Sequence, residues 1–128
     1  MSWLDLVTNS KKVMIVDDDP SVREILKVML KDFEIVEASN GQEAIKKFIE
    51  ERPRIVLMDI VMPGVDGIKA TQKIKQIDPE TLVIGITAFG KAKSEELIKA
   101  GASEVLTKPL TKRRLLEIIR DYQETSKT

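Results

Sequence analysis

The sequence predicts an α/β domain built on a parallel five-stranded sheet with helices on both faces. Three observations carry this. Short, largely apolar segments recur at 13–16, 33–38, 55–59 and 82–86 and again from Val105, and read as strands. Each is followed by a longer segment with apolar residues at helical spacing. Pro, Gly and Asp signals punctuate the boundaries between the two kinds of segment. Strands that alternate with helices imply crossover connections, and so a parallel sheet.

The first strand runs into three carboxylates, Asp17, Asp18 and Asp19. Pro20 suits the first helical position with Asp19 as N-cap, and Val22, Ile25, Leu26, Met29 and Leu30 follow at helical spacing. After the second strand, Asn40-Gly41-Gln42-Glu43 has capping-box spacing. It opens a helix expected to bury Ala44, Ile45, Phe48 and Ile49 and to end at Pro53. The third strand delivers one carboxylate, Asp59, at its end, where open α/β sheets bind ligands. Met62-Pro63-Gly64 and Asp66-Gly67 then turn the chain into a helix marked by Ile68, Thr71, Ile74 and Ile77 and stopped by Asp78-Pro79. Asp66 is better placed than Asp59 to cap that helix, which leaves Asp59 for function. The fourth strand ends at Thr87-Ala88, a helix over about 91–100 closes at Gly101, and the fifth strand ends at Lys108-Pro109. The last helix starts near Thr111, uses Leu115, Ile118, Ile119 and Tyr122, and dissolves into 125–128. The expected organisation is an N-terminal extension, 1–12, one domain, 13–123, and a C-terminal tail, 124–128. Trp3 in the extension is assigned no function.

Composition removes whole classes of chemistry. The 128 residues suffice for one core, and Lys plus Arg balance Asp plus Glu at 21 each, so no basic field attracts nucleic acid. With no Cys and no His, there is no disulfide framework, no thiol or His-zinc chemistry, and no resident imidazole base. No apolar run approaches the ~18 residues that span a membrane, and the N-terminus lacks signal-peptide character. A cytoplasmic location is expected.

The ends of strands one, three, four and five hold Asp17 and Asp18, Asp59, Thr87 and Lys108. Each alone is ordinary, because acidic strand ends are common and a threonine often bonds the backbone. Gathered at one sheet edge they make a chemistry. Crowded carboxylates repel, and a hard divalent ion such as Mg²⁺ relieves them. A lysine and a hydroxyl add donors for phosphoryl oxygens, and a carboxylate nucleophile completes a site for phosphoryl transfer to Asp59.

These residues carry a resemblance. Ile15-Val16-Asp17-Asp18, Met58-Asp59 with Met62-Pro63 and Asp66-Gly67, Thr87-Ala88, Gly101-Ala102 and Lys108-Pro109 resemble, in this order, a CheY-like receiver domain of the two-component response regulators. The likeness covers about residues 13–122. It implies a flavodoxin-like (βα)5 doubly wound parallel sheet with strand order 2-1-3-4-5. It also implies that Asp59 accepts a phosphoryl group from a phospho-histidine, which a partner must supply. Asp18, Asp59 and the main-chain carbonyl of Val61 would hold Mg²⁺, with Asp17 acting through water, while Thr87 and Lys108 would hold phosphoryl oxygens. The implied partners are a sensor histidine kinase or phosphotransfer protein and a downstream effector protein, with no direct nucleic-acid or membrane contact.

Three departures from the family pattern matter. Val105 stands three residues before Lys108, where the family usually has an aromatic ring that reorients on activation. Thr87 to Lys108 is about one residue short, around Gly90. Val61 and Phe89 are apolar where many members carry polar side chains. Lys112-Arg113-Arg114 opens the last helix at the end its dipole makes unfavourable for cations, as a solvated turn or a partner contact. Val22, Ile25, Pro109 and Leu110 form the apolar part of a candidate docking patch. The rivals are a pseudo-receiver that binds partners without phosphorylation, a haloacid-dehalogenase-type phosphatase and a flavodoxin. The acceptor, acidic pair, threonine and lysine argue against the first. Val61, where a second Asp is needed, argues against the phosphatase. The lack of a hydroxyl-rich phosphate loop after the first strand argues against the flavodoxin.

Overall fold

Asp19 starts the first helix as its position predicts: its Oδ1 accepts from the amide of Ser21 at 2.8 Å, with Pro20 as the first helical residue. The computed structural model describes residues 11–59, 67–87, 91–107 and 110–126. In chain order the elements are β1 (Lys12–Val16), α1 (Pro20–Met29), β2 (Glu34–Ala38), α2 (Gly41–Glu51), β3 (Ile55–Asp59), α3 (Gly67–Ile77), β4 (Leu82–Thr87), α4 (Lys91–Ala100), β5 (Glu104–Thr107) and α5 (Lys112–Ser126). All strand pairs are parallel, in the order β2-β1-β3-β4-β5.

Period-two alternation divides the strand side chains between two cores. Met14, Val16, Val56, Met58 and Val83 pack with Ala44 and Phe48 of α2, Ala70 and Ile74 of α3, and Leu97 of α4. Val13, Ile15, Ile55, Leu57, Ile84 and Ile86 pack on the other face with Leu26 of α1 and with Leu115, Ile118 and Ile119 of α5. β3 and β4 are buried along their whole length, which explains their near-continuous apolar sequence.

Capping differs in one detail from the sequence expectation. Asn40 Oδ1 accepts from the amide of Glu43 at 2.8 Å, but Glu43 reaches back to the amide of Ser39, at 2.9 Å, rather than to that of Asn40. α2 ends at Glu51, where Arg52 caps it in a left-handed conformation (φ 49°) and Pro53 cannot continue the helix. One burial expectation and one boundary are corrected. Ile49 is 51% exposed, because it lies on the outer side of α2 despite the periodic spacing, whereas the 57% exposure of Ile25 suits its place in the candidate docking patch. α5 continues to Ser126 instead of dissolving at residue 125, since 123–126 contain no Gly or Pro to stop it. No helix among the described residues is long and apolar enough to cross a membrane. The expected extension falls almost wholly outside those residues, although Lys12 already belongs to β1.

Candidate functional site

Strand register brings the chemistry together. Val16 pairs with Met58, so Asp17 leaves β1 level with Asp59, the last residue of β3. Asp59 pairs with Ile86, which sets Thr87 one step further along β4. Thr87 pairs with Thr107, the residue before Lys108. Asp17, Asp59 and Thr87 are therefore neighbours at the carboxyl edge of three adjacent strands, and all are buried, with Asp17 2% and Asp59 6% exposed. Asp18 is exposed beside them. Val61, Phe89, Lys108 and Pro109 lie outside the described residues.

Ligand oxygens of Asp17, Asp18 and Asp59 all lie within 4.8 Å of one another. Like charges about 5 Å apart repel by on the order of 3 kcal/mol at an effective dielectric constant of ~20. A divalent cation converts that repulsion into attraction, and an all-oxygen donor set suits a hard ion. The three carboxylates fit such an ion: two are fixed in the protein wall and one faces solvent, from which an ion arrives.

The backbone around the acids is fixed from several sides. The amide of Asp17 donates to the carbonyl of Ala38 at 3.1 Å, and Asp17 Oδ1 accepts from the amide of Asp19 at 2.9 Å. Gly67 is required for its size. A Cβ there would stand 2.3 Å from the carbonyl oxygen of Asp59, so the absent side chain lets α3 begin directly against the end of β3. Arg23 adds a tie that sequence reasoning missed. Its Nη1 donates to the carbonyl of Asp17 at 2.6 Å and its Nε to Glu37 Oε1 at 3.1 Å. Lys27 Nζ donates to the other oxygen of Glu37 at 3.2 Å and to Glu24 at 2.7 Å. Burial pushes the Glu37 carboxyl up, but the bonds from Lys27 and Arg23 outweigh it and hold the group below its ordinary value. A cation in the first turn of α1 was the available signal, because a helix start disfavours positive charge.

The other residues that the sequence singled out fall in three places. Val105 is partly buried against the core, beside the Gly85–Leu97 contact. Val22 and Leu110 are partly buried on the α1–α5 side, with Ile25 exposed on the same helix as Val22. Lys112, Arg113 and Arg114 are exposed, with Arg113 3.2 Å from Glu117 and Arg114 3.8 Å from both Glu104 and Glu117.

Comparison with known proteins agrees with this geometry. Residues 13–120 match the response regulator receiver domain family. The chain is 42% identical over 115 residues to chemotaxis protein CheY of Halobacterium salinarum, covering 88% of this chain and 96% of that protein. It is also 42% identical over 113 residues to chemotaxis protein CheY of Thermotoga maritima, covering 85% and 94%. Among solved structures, a CheY-like receiver domain protein of Methanospirillum hungatei superposes with a TM-score of 0.85 at 28% identity, covering 91% of this chain and 97% of that one. A sheet of order 2-1-3-4-5, an acidic cluster at its carboxyl edge and these relatives lead to one assignment: the chain belongs to the response regulator receiver domain family and is a phosphoacceptor signalling protein.

Proposed function

We propose that Asp59 is the phosphoryl acceptor, and that Asp18, Asp59 and the carbonyl of Val61, with Asp17 acting through water, would hold the Mg²⁺ on which the transfer depends. The observation that carries this reading is the mutual approach of three carboxylates, within 4.8 Å, beside a buried threonine at the next strand end. A carboxylate oxygen of Asp59 attacks the phosphorus of a partner's phospho-imidazole. A P–O bond forms, the P–N bond breaks, and the imidazole nitrogen keeps the electron pair and takes up a proton. Bound Mg²⁺ neutralises phosphoryl charge during transfer. The hydroxyl of Thr87 donates to one phosphoryl oxygen, and the ammonium of Lys108 balances another. The chain thus assists its own phosphorylation, and the added charge of about −1.5 to −2 biases a pre-existing two-state equilibrium toward an effector. The side chains of Val61 and Phe89 offer no hydrogen bond to a water attacking phosphorus, so the phosphoryl group on Asp59 is long-lived.

The donor is a sensor histidine kinase or phosphotransfer protein. Val22, Ile25 and Leu110, with Pro109, supply the apolar part of its docking surface, supported by the exposure of Ile25 on the helix that carries half-buried Val22 and by the partial burial of Leu110 against the same core as Val22. The deciding experiment is intact-mass measurement after incubation with acetyl phosphate and Mg²⁺. Wild type should gain one phosphoryl group, and Asp59→Asn none. An unlabelled wild type would favour the pseudo-receiver, and equal labelling of both proteins would move the acceptor elsewhere.

A further inference from the structure

Arg23 stands where its charge is poorly placed. In the first turn of α1 a cation meets the positive end of the helix dipole, an unfavourable arrangement. Yet its side chain is only 18% exposed, and both of its bonded nitrogens have defined partners. One partner is the backbone carbonyl that links Asp17 to Asp18. The β1 ladders end at Val16, so the 2.6 Å bond from Nη1 fixes the main chain one residue beyond the last ladder pair. The other partner is Glu37, which lies opposite Ile15 in the neighbouring strand. Glu37 is itself gripped by Lys27. The guanidinium fork is thus held by β2 at one prong and holds the acidic loop with the other.

We propose that Arg23, braced by Glu37, is a positioning residue for the Asp17–Asp18 peptide and so for the carboxylate that Asp18 offers to the divalent cation. This rests on reading the three-carboxylate cluster as a cation site. Asp18 is the exposed member of the cluster, and the peptide plane from which its side chain springs limits where that side chain reaches. With the carbonyl of Asp17 anchored, the peptide cannot rotate. Without the anchor only the flanking bonds remain, from the amide of Asp17 to Ala38 and from the amide of Asp19 to Asp17 Oδ1, and the peptide gains freedom to turn the Asp18 carboxylate away from the other two. A lysine keeps the charge but lacks the planar fork that bonds two acceptors in fixed geometry.

The two possible roles of Arg23 differ in the sign of their effect. Removing a cation near three carboxylates would, through charge alone, tighten binding of a dication. Removing a positioning bond loosens it. Calorimetric titration of the unphosphorylated chain with Mg²⁺ should show a Kd raised about 10-fold in Arg23→Met, the order expected when a group that orients a ligand is lost. Arg23→Lys should also bind more weakly than wild type. The Mg²⁺ concentration that half-saturates acetyl phosphate labelling should rise in parallel, while the rate at saturating Mg²⁺ stays near wild type. Tighter Mg²⁺ binding by Arg23→Met overturns the proposal in favour of simple repulsion. An unchanged Kd with a lowered melting temperature overturns it in favour of a structural staple. If Arg23→Met does not fold, Glu37→Gln decides, since it should weaken Mg²⁺ in the same direction by a smaller factor, and an unchanged Kd there is equally fatal. Failure of the wild type to bind Mg²⁺ sinks the cation-site reading together with this one, whereas wild-type binding with insensitive variants sinks this one alone.

Discussion

Asp59 ends a strand on which every residue is buried, and it shares that end with Asp17 and Asp18. Its charge adds to the mutual repulsion of that cluster until a cation arrives. Asp59→Asn keeps the shape and removes one of three mutually repelling charges. Without metal, its melting temperature should equal or exceed that of wild type, while the rise produced by adding Mg²⁺ should shrink. Thermal melts with and without Mg²⁺ check both parts, and a large metal-free loss would mean that Asp59 is held by bonds its amide cannot make. Glu37 gives the opposite case, an acid the fold favours in its charged form. Burial raises its pKa, yet Lys27 and Arg23 pull it below the ordinary value of 4.5. A depressed carboxyl pKa contributes stability above the unfolded value, and that contribution disappears as pH falls through the lower folded value. Glu37→Gln should thus be less stable than wild type at neutral pH by up to about 1 kcal/mol, because solvent reaches the 37% exposed Glu37 side chain and screens its pairs. The difference should close below pH 4.5, which urea melts across an acid series would show.

At the scale of elements, Gly85 sets how closely α4 lies on the sheet. A Cβ at this position would stand 2.1 Å from Leu97 Cδ2 and 3.2 Å from Val105 Cγ2, and Leu97 is fully buried with nowhere to retreat. Gly85→Ala should destabilise by about 2 kcal/mol through overpacking, despite the better strand propensity of alanine. Leu97→Ala in the same chain should recover part of that loss, so a double-mutant cycle should give a stabilising coupling, and strictly additive losses would refute the contact. Gly85 lies two residues before Thr87 in β4, so this packing also borders the site. None of it was legible beforehand, because a glycine inside a strand signals a close approach without naming the partner. The strands and helices did follow from periodicity and punctuation, which are local properties, while the meeting of Asp17, Asp59 and Thr87 depends on a strand order that only the family resemblance implied. Ile49 misled because helical spacing marks a stripe but not its width, and this residue lies at or beyond the edge of the buried one. The Arg23–Glu37 pair escaped because its members stand 14 positions apart, on a helix and on the strand that follows it. The end of α5 escaped because polar residues compatible with a helix read the same as a tail.

Across the whole molecule, the sheet order makes neighbours of segments from opposite ends of the chain. α1 follows the first strand and α5 follows the last, yet both cover the same face, where Val22 and Leu110 pack against one shared core. Asp59, the proposed acceptor, lies at the carboxyl edge of that sheet, and α1 and the segment before α5 both start from this edge. A donor protein presenting a phospho-histidine to Asp59 would therefore meet the first turns of α1 and the approach to α5. A small donor such as acetyl phosphate needs only the acidic cluster and the hydrogen-bond donors around it. Leu110→Ala removes apolar surface outside the phosphoryl site, so it should slow transfer from the phosphorylated protein donor while leaving labelling by acetyl phosphate near wild type. About 1–2 kcal/mol lost at such a contact corresponds to roughly 5- to 30-fold in rate at subsaturating donor. Because Leu110 is partly buried against the α1–α5 core, damage to the fold is the rival explanation for any loss. Fold damage would depress both reactions together, and so would a shift of the neighbouring Lys108. A selective loss with the protein donor places the docking surface at α1 and the start of α5, and wild-type rates with both donors would place it elsewhere.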